Sequence, residues 1–200
     1  MSMTNGSLKT AVAGYLHRSD LTTQIPDFVD QARLRIGADF RGLANFTTGT
    51  VTAFSSELKA LPANMGRLVS VRDSSGNPLL PMPVDIVGQY TGGVYAVSGL
   101  DIWVPGAGSA TVITLGYYSI PAALVNAGDV SVPMLEYPNL WLYASVMEAA
   151  LYVQDYELTD RMGQLYKALI DDANRAGNES RFAAPAMVAD QPMIQGMAVL

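Results

Sequence analysis

The stretch YPNLWLYASVMEAALYVQD, residues 137–155, decides the fold of this chain. Pro138 has a fixed φ and no amide proton, so it suits the first turn of a helix, and Tyr137 before it is pushed toward extended geometry. Apolar side chains cover most of the circumference of this helix. The more polar positions form one narrow stripe of Trp141, Ser145, Glu148, Tyr152 and Asp155. Such a helix must be covered on most sides by its own chain, by a neighbouring subunit, or by both.

Two pairs of helices are predicted, one at each end of the chain. Residues 157–176 repeat apolar side chains at helical spacing, and Gly177 suits the left-handed position that follows a helix. The short link to the central helix predicts an antiparallel hairpin. Near the N-terminus, a first apolar face is followed by a second helix that begins at Pro26. We therefore expect a bundle of about four helices, formed by residues 1–45 and 130–178.

Between the helical segments, residues 46–129 have the pattern of an antiparallel β domain. Short runs of β-branched and aromatic residues alternate with turns, and no long helix separates the runs. The predicted strands are 47–54, 68–72, 94–97, 102–104 and 111–118, and 84–90 is short enough for a single helical turn. The predicted fold class is α+β, a four-helix bundle with an inserted antiparallel sheet region and an extended C-terminal tail.

Residues 179–200 are predicted to form an extended C-terminal arm. From Phe182 onward the sequence holds prolines, methionines and alanines, one charge and no regular period. Low charge and many apolar residues are atypical of solvated disorder. We expect the arm to lie in a groove on a partner, with methionines filling irregular pockets; a frayed terminus is the alternative. The residues expected to dock are Phe182, Met187, Val188, Met193, Ile194, Met197 and Leu200.

Few residues of this sequence offer chemistry. There is no cysteine, and the one histidine is His17 at a predicted helix end, so a cysteine nucleophile and a multi-histidine metal site are excluded. Carboxylates cluster near the second helix pair, which is typical of a solvated helix face. They are Asp155, Glu157, Asp160, Asp171 and Asp172. We expect no catalytic residue, no metal and no cofactor, and a small hydrolase that uses acidic residues is the alternative.

The charge distribution restricts the partners. The net charge is −6, and residues 133–200 carry nine Asp or Glu against four Lys or Arg. A protein that grips DNA needs a basic surface, whereas a passage through which DNA slides tolerates acidic walls. Only 15% of residues are charged, so some apolar surface is expected to be shared between chains. Arg33, Arg35 and Arg41 lie near Asp30 and Asp39 in sequence and are expected to form salt bridges, within or between subunits; contact with phosphate is the alternative.

The order of these segments resembles a known family. The resemblance is carried by residues 15–21 (YLHRSDL), 25–28 (IPDF), 34–36, 40–41, 61–63, 68–71, 115–118, 120–122 and 137–155. Together they are similar to the head-to-tail adaptor proteins of tailed bacteriophages, the group that includes the tail tubular protein A type of short-tailed phages. The resemblance spans nearly the whole chain.

The resemblance implies a structural virion protein that forms a twelve-fold (dodecameric) ring between the portal protein and the tail and continues the DNA channel. The bundle would face neighbouring copies and the portal, and the β domain would face the next tail or nozzle protein. DNA would pass without sequence-specific binding, no membrane would be involved, and assembly would take place in the host cytoplasm. The residues expected at subunit or partner contacts are Trp141, Ser145, Glu148, Tyr152, Arg33 and Arg35. A monomeric interaction module that recruits through its tail is the other alternative.

Overall fold

A computed structural model describes residues 3–18 and 20–182 of the chain. Within these ranges the chain forms six α-helices, seven β-strands and a 3-10 turn at Leu43–Asn45. The helices are α1 (Asn5–Leu16), α2 (Ile25–Asp39), α3 (Val84–Val87), α4 (Val132–Glu136), α5 (Pro138–Tyr152) and α6 (Tyr156–Phe182). The strands are β1 (Phe46–Val51), β2 (Leu58–Ala60), β3 (Met65–Arg72), β4 (Leu80–Pro81), β5 (Val94–Ser98), β6 (Asp101–Trp103) and β7 (Ile113–Ser119).

The prediction of a four-helix bundle with one antiparallel sheet region is wrong in two respects. α3 and α4 add two helices, and the strands form two sheets with the orders β1-β7-β3 and β2-β6-β5-β4. The pair β4–β5 is parallel, whereas the other described pairs of strands are antiparallel. Helices of four or five residues are too short to show a 3.6-residue period, and strands of two or three residues are too short to show alternation. β2, β4 and α4 were therefore missed in the sequence, whereas β6 was included and a helical turn was allowed at α3.

α5 is the centre of the helical part of the molecule. Leu140, Trp141, Ala144, Val146 and Ala149 on this helix are fully buried. α5 packs against α1, α2, α4 and α6, all of which belong to the same chain. The apolar surface of α5 is therefore covered mainly by the chain's own elements, which was one of the alternatives that the sequence left open.

α6 is longer than predicted. It runs through Gly177, the predicted helix end, to Phe182, so residues 179–182 of the predicted arm are helical. Gly177 is buried, and a Cβ there would lie 2.9 Å from the Cα of Gly42. The glycine therefore allows α6 to approach the loop that follows α2, and it does not end the helix.

The helical part meets the first sheet at a close approach of backbone. Gly37 of α2 is buried, and a Cβ there would lie 3.0 to 3.1 Å from atoms of Ile120. A Cβ on Gly66 of β3 would lie 3.0 Å from the carbonyl oxygen of Gly37. The guanidinium of Arg41 lies 5.6 Å from the centroid of the Tyr118 ring on β7. The C-terminal half of α2 is thus held against β3 and the end of β7.

Candidate assembly interface

The structure corrects the position of two predicted contact residues. Trp141 and Ser145 are fully buried beneath elements of the same chain. Neither the Trp141 indole N–H nor the Ser145 hydroxyl has a hydrogen-bond partner among the described residues. The apparent polar stripe of the central helix therefore faces inward at these positions. The predicted contact surface is reduced to Glu148, Tyr152 and the two arginines of α2.

Arg35 and Glu148 form an ion pair that joins α2 to α5. The Arg35 Nε donates to the Glu148 Oε1 across 2.6 Å. The Glu148 side chain is 14% exposed and that of Arg35 is 43% exposed. Removing the arginine would leave a largely buried carboxylate without its cation, so this pair stabilises the bundle as well as lining its surface.

Arg33 is engaged within the chain in the same way. Its Nε lies 2.6 Å from the Oδ1 of Asp30, which confirms the predicted pairing with this carboxylate. Its Nη1 donates to the carbonyl oxygen of Pro121 across 3.2 Å. Arg33 therefore ties α2 to the segment that follows β7.

Exposed aromatic side chains collect where α5 turns into α6. Tyr152 is 58% exposed, and Tyr156 is 67% exposed. The Tyr152 ring contacts Phe28 near the start of α2, with ring centroids 5.2 Å apart. Tyr15 lines a cleft of about 450 Å³ together with residues 155–162 at the same end of the bundle. We call the exposed side chains Tyr15, Leu151, Tyr152 and Tyr156 the turn patch.

A second surface feature is a cleft of about 590 Å³ between α2, α6 and β3, which we call the basic cleft. Its cationic lining residues are Arg35, Arg41, Arg67 and Lys167, and its acidic ones are Asp39 and Asp171. These four cations are a third of the twelve in a chain whose net charge is −6. Positive charge is therefore concentrated in this cleft.

Hydrogen bonds between α2 and α6 fix the wall of the basic cleft. The Tyr166 hydroxyl donates to the Asp39 Oδ2 across 3.0 Å, and the Asn174 Nδ2 donates to the Asp39 carbonyl oxygen across 3.0 Å. The Arg41 amide donates to the Asn174 Oδ1 across 2.5 Å. Burial, followed by the nearby Asp39 carboxylate, raises the pKa of Tyr166 above its ordinary value, so this hydroxyl keeps its proton as a donor.

Two arginines in the basic cleft differ in how they are held. Arg41 donates to the carbonyl oxygens of Phe40, across 3.2 Å, and of Ala38, at the end of α2 where positive charge suits the helix dipole. Arg67 is exposed, and its guanidinium forms no ion pair with any residue that the structure describes. Burial, followed by the charge of Arg67, lowers the pKa of Arg41. Asp39, which lines the same cleft as the two arginines, opposes this lowering.

A profile of the SU10 adaptor protein family matches residues 3–189. The chain belongs to the SU10 adaptor protein family. The predicted resemblance to phage head-to-tail adaptors is confirmed by this match, and the protein is a phage structural adaptor, located in the virion. No curated protein matches the chain.

The second sheet of the adaptor carries another group of exposed apolar side chains. Leu100, at the turn between β5 and β6, is 84% exposed. Leu58, Leu80 and Val97 on β2, β4 and β5 are exposed as well. These exposed apolar positions all belong to the second sheet or to its β5–β6 turn.

Glu57, just before β2, joins this strand to β6 and to the loop that follows β6. Its carboxylate accepts from the Trp103 indole N–H across 3.1 Å and from the Gly106 amide across 2.8 Å. These donors, the indole first, lower the pKa of Glu57 below its ordinary value. The carboxylate therefore fixes the loop after β6 beside β2.

The residues that could have supplied chemistry have structural roles in the adaptor. His17 is exposed in the left-handed position that ends α1, with φ of 49°. Asp155 accepts from the Leu158 amide across 3.0 Å at the start of α6. Asp171 and Asp172 pair with cations on α6 itself. No set of three or more His, Cys, Asp or Glu side chains able to hold a metal ion occurs in residues 3–18 and 20–182.

The predicted docking arm lies almost wholly outside the described part of the chain. Phe182 is the last residue of α6, and the other predicted docking residues of the adaptor follow it. They are Met187, Val188, Met193, Ile194, Met197 and Leu200. In the part of the chain that the structure describes, no helix combines the length and apolar character needed to cross a bilayer.

The sequence interpretation missed the basic cleft and most of the turn patch. Arg41, Arg67 and Lys167 are far apart in the chain and come together only because α6 packs beside α2 and β3. The exposure of Tyr156 could have been predicted from the sequence, because Tyr156 lies between the carboxylates Asp155 and Glu157, and a side chain among charged neighbours tends to be exposed.

Proposed function

We propose that this adaptor forms a ring between the portal and the tail and continues the DNA channel. The observation that carries the proposal is the match to an adaptor family over residues 3–189. Head-to-tail adaptors act by assembly, so the mechanism is the burial of surface between copies and against the portal and tail proteins. Twelve-fold symmetry follows from the resemblance alone, and assembly would take place in the host cytoplasm.

Two exposed surfaces at different parts of the molecule support this proposal. The turn patch lies on the helical part, and the apolar side chains around Leu100 lie on the second sheet. A protein that joins two different partners needs two such surfaces, because exposed apolar patches mark sites of protein association. We assign the helical part to neighbouring copies and the portal, and the second sheet to the tail or nozzle protein. The buried side chains of α5 are covered by the same chain, so they do not support association between copies.

The arm is the segment that we assign to the portal. Beyond Phe182 the chain has 18 residues, which reach about 60 Å when extended. This length allows the arm to cross to a neighbouring protein without moving the bundle. Its methionines suit a groove of irregular shape, since their side chains are unbranched and flexible.

The charge of the adaptor suits a channel through which DNA moves. The acidic excess lies in residues 133–200, and a net charge of −6 per copy would be multiplied around a ring. Phosphates would be repelled weakly from such walls, so DNA would pass without adhering to them. Sequence-specific binding is not part of this function.

The alternative of a small hydrolase receives no support from the carboxylates. Three of the five acidic residues it would use, Asp155, Asp171 and Asp172, cap or pair with residues of α6. Membership of a structural adaptor family also argues for an assembly role and against an enzyme.

The proposal is tested by binding of the full chain to its cognate portal protein. Wild-type protein should co-sediment with the portal, and a variant that lacks residues 183–200 should lose most of this binding. Equal thermal unfolding midpoints of the two proteins would show that the bundle still folds. As a matched control, Met187→Asp, Met193→Asp and Met197→Asp together should weaken binding more than Ala184→Asp, Ala189→Asp and Ala198→Asp together. Portal binding that is unchanged by the deletion would contradict the assignment of the arm.

A further inference from the structure

We propose that the start of α6 and the turn patch of one copy dock in the basic cleft of a second copy, so that carboxylates of one protomer bind Arg41 and Arg67 of the next. This inference rests on the proposed ring and names the surfaces that form its subunit contact. Each protomer then has a donor surface, which is the start of α6 with the turn patch, and an acceptor surface, which is the basic cleft.

The acceptor side is argued from unneutralised charge. Arg67 has no ion pair with a described residue, and Arg41 is held by carbonyl oxygens at the end of α2. Lys167 is only loosely paired with Asp171, with 3.5 Å between Nζ and Oδ2 and both side chains exposed. A bound anion would stabilise two guanidinium groups that line one cleft of about 590 Å³. The cleft therefore fits an anionic partner.

The donor side is supplied by the same chain. Glu157 and Asp160 are exposed on the first turns of α6, and their side chains form no ion pair with other described residues. The exposed Tyr152 and Tyr156 lie beside them. Tyrosine is enriched among the residues that contribute most to protein interfaces, and carboxylates add charge complementarity to an arginine-lined cleft. The α5–α6 turn thus has both features that the cleft requires.

Tyr152 of the donor surface and Arg41 of the acceptor surface lie toward opposite ends of α2, which suits association of copies in one direction. Tyr152 contacts Phe28 near the start of α2, whereas Arg41 follows its C-terminal end. At 1.5 Å per residue the two ends of this 15-residue helix are about 21 Å apart. Contacts between two different surfaces of identical chains are heterologous, and they generate a closed ring when the rotation between copies closes.

A second groove extends the acceptor surface along α2. A cleft of about 370 Å³ adjoins the basic cleft and shares Arg35, Ala38 and Asp39 with it. Exposed Leu34 lines this second groove, so apolar area is available beside the charges. An aromatic side chain of the turn patch could therefore be buried next to the ion pairs.

Charge reversal in the full-length protein tests this contact. The measured quantity is the concentration at which copies associate, determined by analytical ultracentrifugation of the protein alone and in the presence of its portal. Arg67→Glu should weaken association by about tenfold at low salt, and Asp160→Arg should do the same, because each replaces attraction with repulsion. The double variant Arg67→Glu with Asp160→Arg should recover much of the loss. Arg72→Glu, also exposed and on the same strand, is the matched control and should associate like wild type.

The outcomes separate this inference from the ring proposal. If wild type associates and Arg67→Glu associates equally well, the inference is overturned while the ring stands. If wild type associates neither alone nor with the portal, the ring proposal fails and the inference fails with it. A DNA site in the cleft is the competing assignment. If Arg67→Glu weakens binding of a short DNA duplex in a fluorescence anisotropy titration and leaves association unchanged, the cleft binds phosphate and the inference is overturned.

Discussion

Two glycines on α6 allow a direct test of how closely this helix packs. A Cβ on Gly163 would meet only the Met147 Sδ, at 3.4 Å, which is the flexible end of a side chain. A Cβ on Gly177 would lie 2.9 Å from the Gly42 Cα and 3.3 Å from the Arg41 carbonyl oxygen. Backbone atoms cannot move away by a change of rotamer, as a flexible side chain can. The same substitution should therefore have opposite effects at the two positions.

The expected magnitudes follow from helix propensity and overpacking. Replacing a helical glycine by alanine favours the helix by about 1 kcal/mol, so Gly163→Ala should raise the free energy of unfolding by about 0.5–1 kcal/mol. At Gly177 an overpacking cost of about 1–3 kcal/mol opposes the same gain in helix propensity, so Gly177→Ala should lower the free energy of unfolding by up to about 2 kcal/mol. For a chain of this size each kcal/mol corresponds to roughly 2–4 °C in the unfolding midpoint.

The assay is thermal and denaturant unfolding of the two variants and wild type, followed by circular dichroism. The prediction is a higher midpoint for Gly163→Ala and a lower one for Gly177→Ala. If Gly177→Ala raises the midpoint as Gly163→Ala does, the close approach of α6 to the Gly42 loop is refuted. The account of why the helix continues past Gly177 would then fail as well.

Three further substitutions test the packing of the bundle and the second sheet. Ser145→Ala removes a buried hydroxyl that has no described hydrogen-bond partner, so it should raise the free energy of unfolding by about 1 kcal/mol and leave portal binding unchanged. A loss of stability would instead reveal a partner for this hydroxyl. Arg35→Ala should lower the free energy of unfolding by about 1 kcal/mol, and this loss should shrink when Glu148→Gln is also present; equal losses in both backgrounds would contradict the ion pair. Glu57→Gln should be less stable than wild type at pH 7. Because the pKa of Glu57 is lower in the folded state, the ionised carboxylate stabilises the fold above the ordinary pKa of 4.5, and this stabilisation disappears as the pH falls through the folded-state pKa. The denaturation midpoints of Glu57→Gln and wild type should therefore converge in acid. A difference between the midpoints that is independent of pH would contradict the role of the Glu57 charge.

The long elements of the fold could be predicted because their patterns are local. α2 and α5 each begin with proline in the first turn, as the sequence indicates, and the apolar positions of α6 repeat over many turns. Each of the five predicted strands overlaps one observed strand. The extension of α6 beyond Gly177 could not be predicted, because the favourable packing against Gly42 involves a residue far away in sequence.

The candidate site was less predictable than the fold. On an almost fully apolar helix, periodicity cannot show which side meets solvent, so Trp141 and Ser145 were assigned to a surface although both are buried. Arg33 and Asp30 were paired correctly because they are three residues apart on one helix. The basic cleft combines residues from α2, β3 and α6, and no local pattern brings Arg41 and Arg67 together.

The family match and the exposed surfaces of the adaptor bear on different parts of its function. The match to the SU10 adaptor protein family establishes a structural role in the phage particle. We propose that this role is divided between two surfaces, with the helical part toward copies and portal and the second sheet toward the tail. Contact residues such as Glu148 and Tyr152 stay predictions on this account, and the basic cleft adds Arg41 and Arg67 to them.

Electron microscopy of the full-length protein mixed with its cognate portal is the most direct test of the ring. The account predicts a closed ring of copies stacked on one face of the portal, around an open channel, with density from the arms reaching the portal surface. Portal particles that stay bare at an excess of the protein, or that carry single unconnected copies, would contradict it.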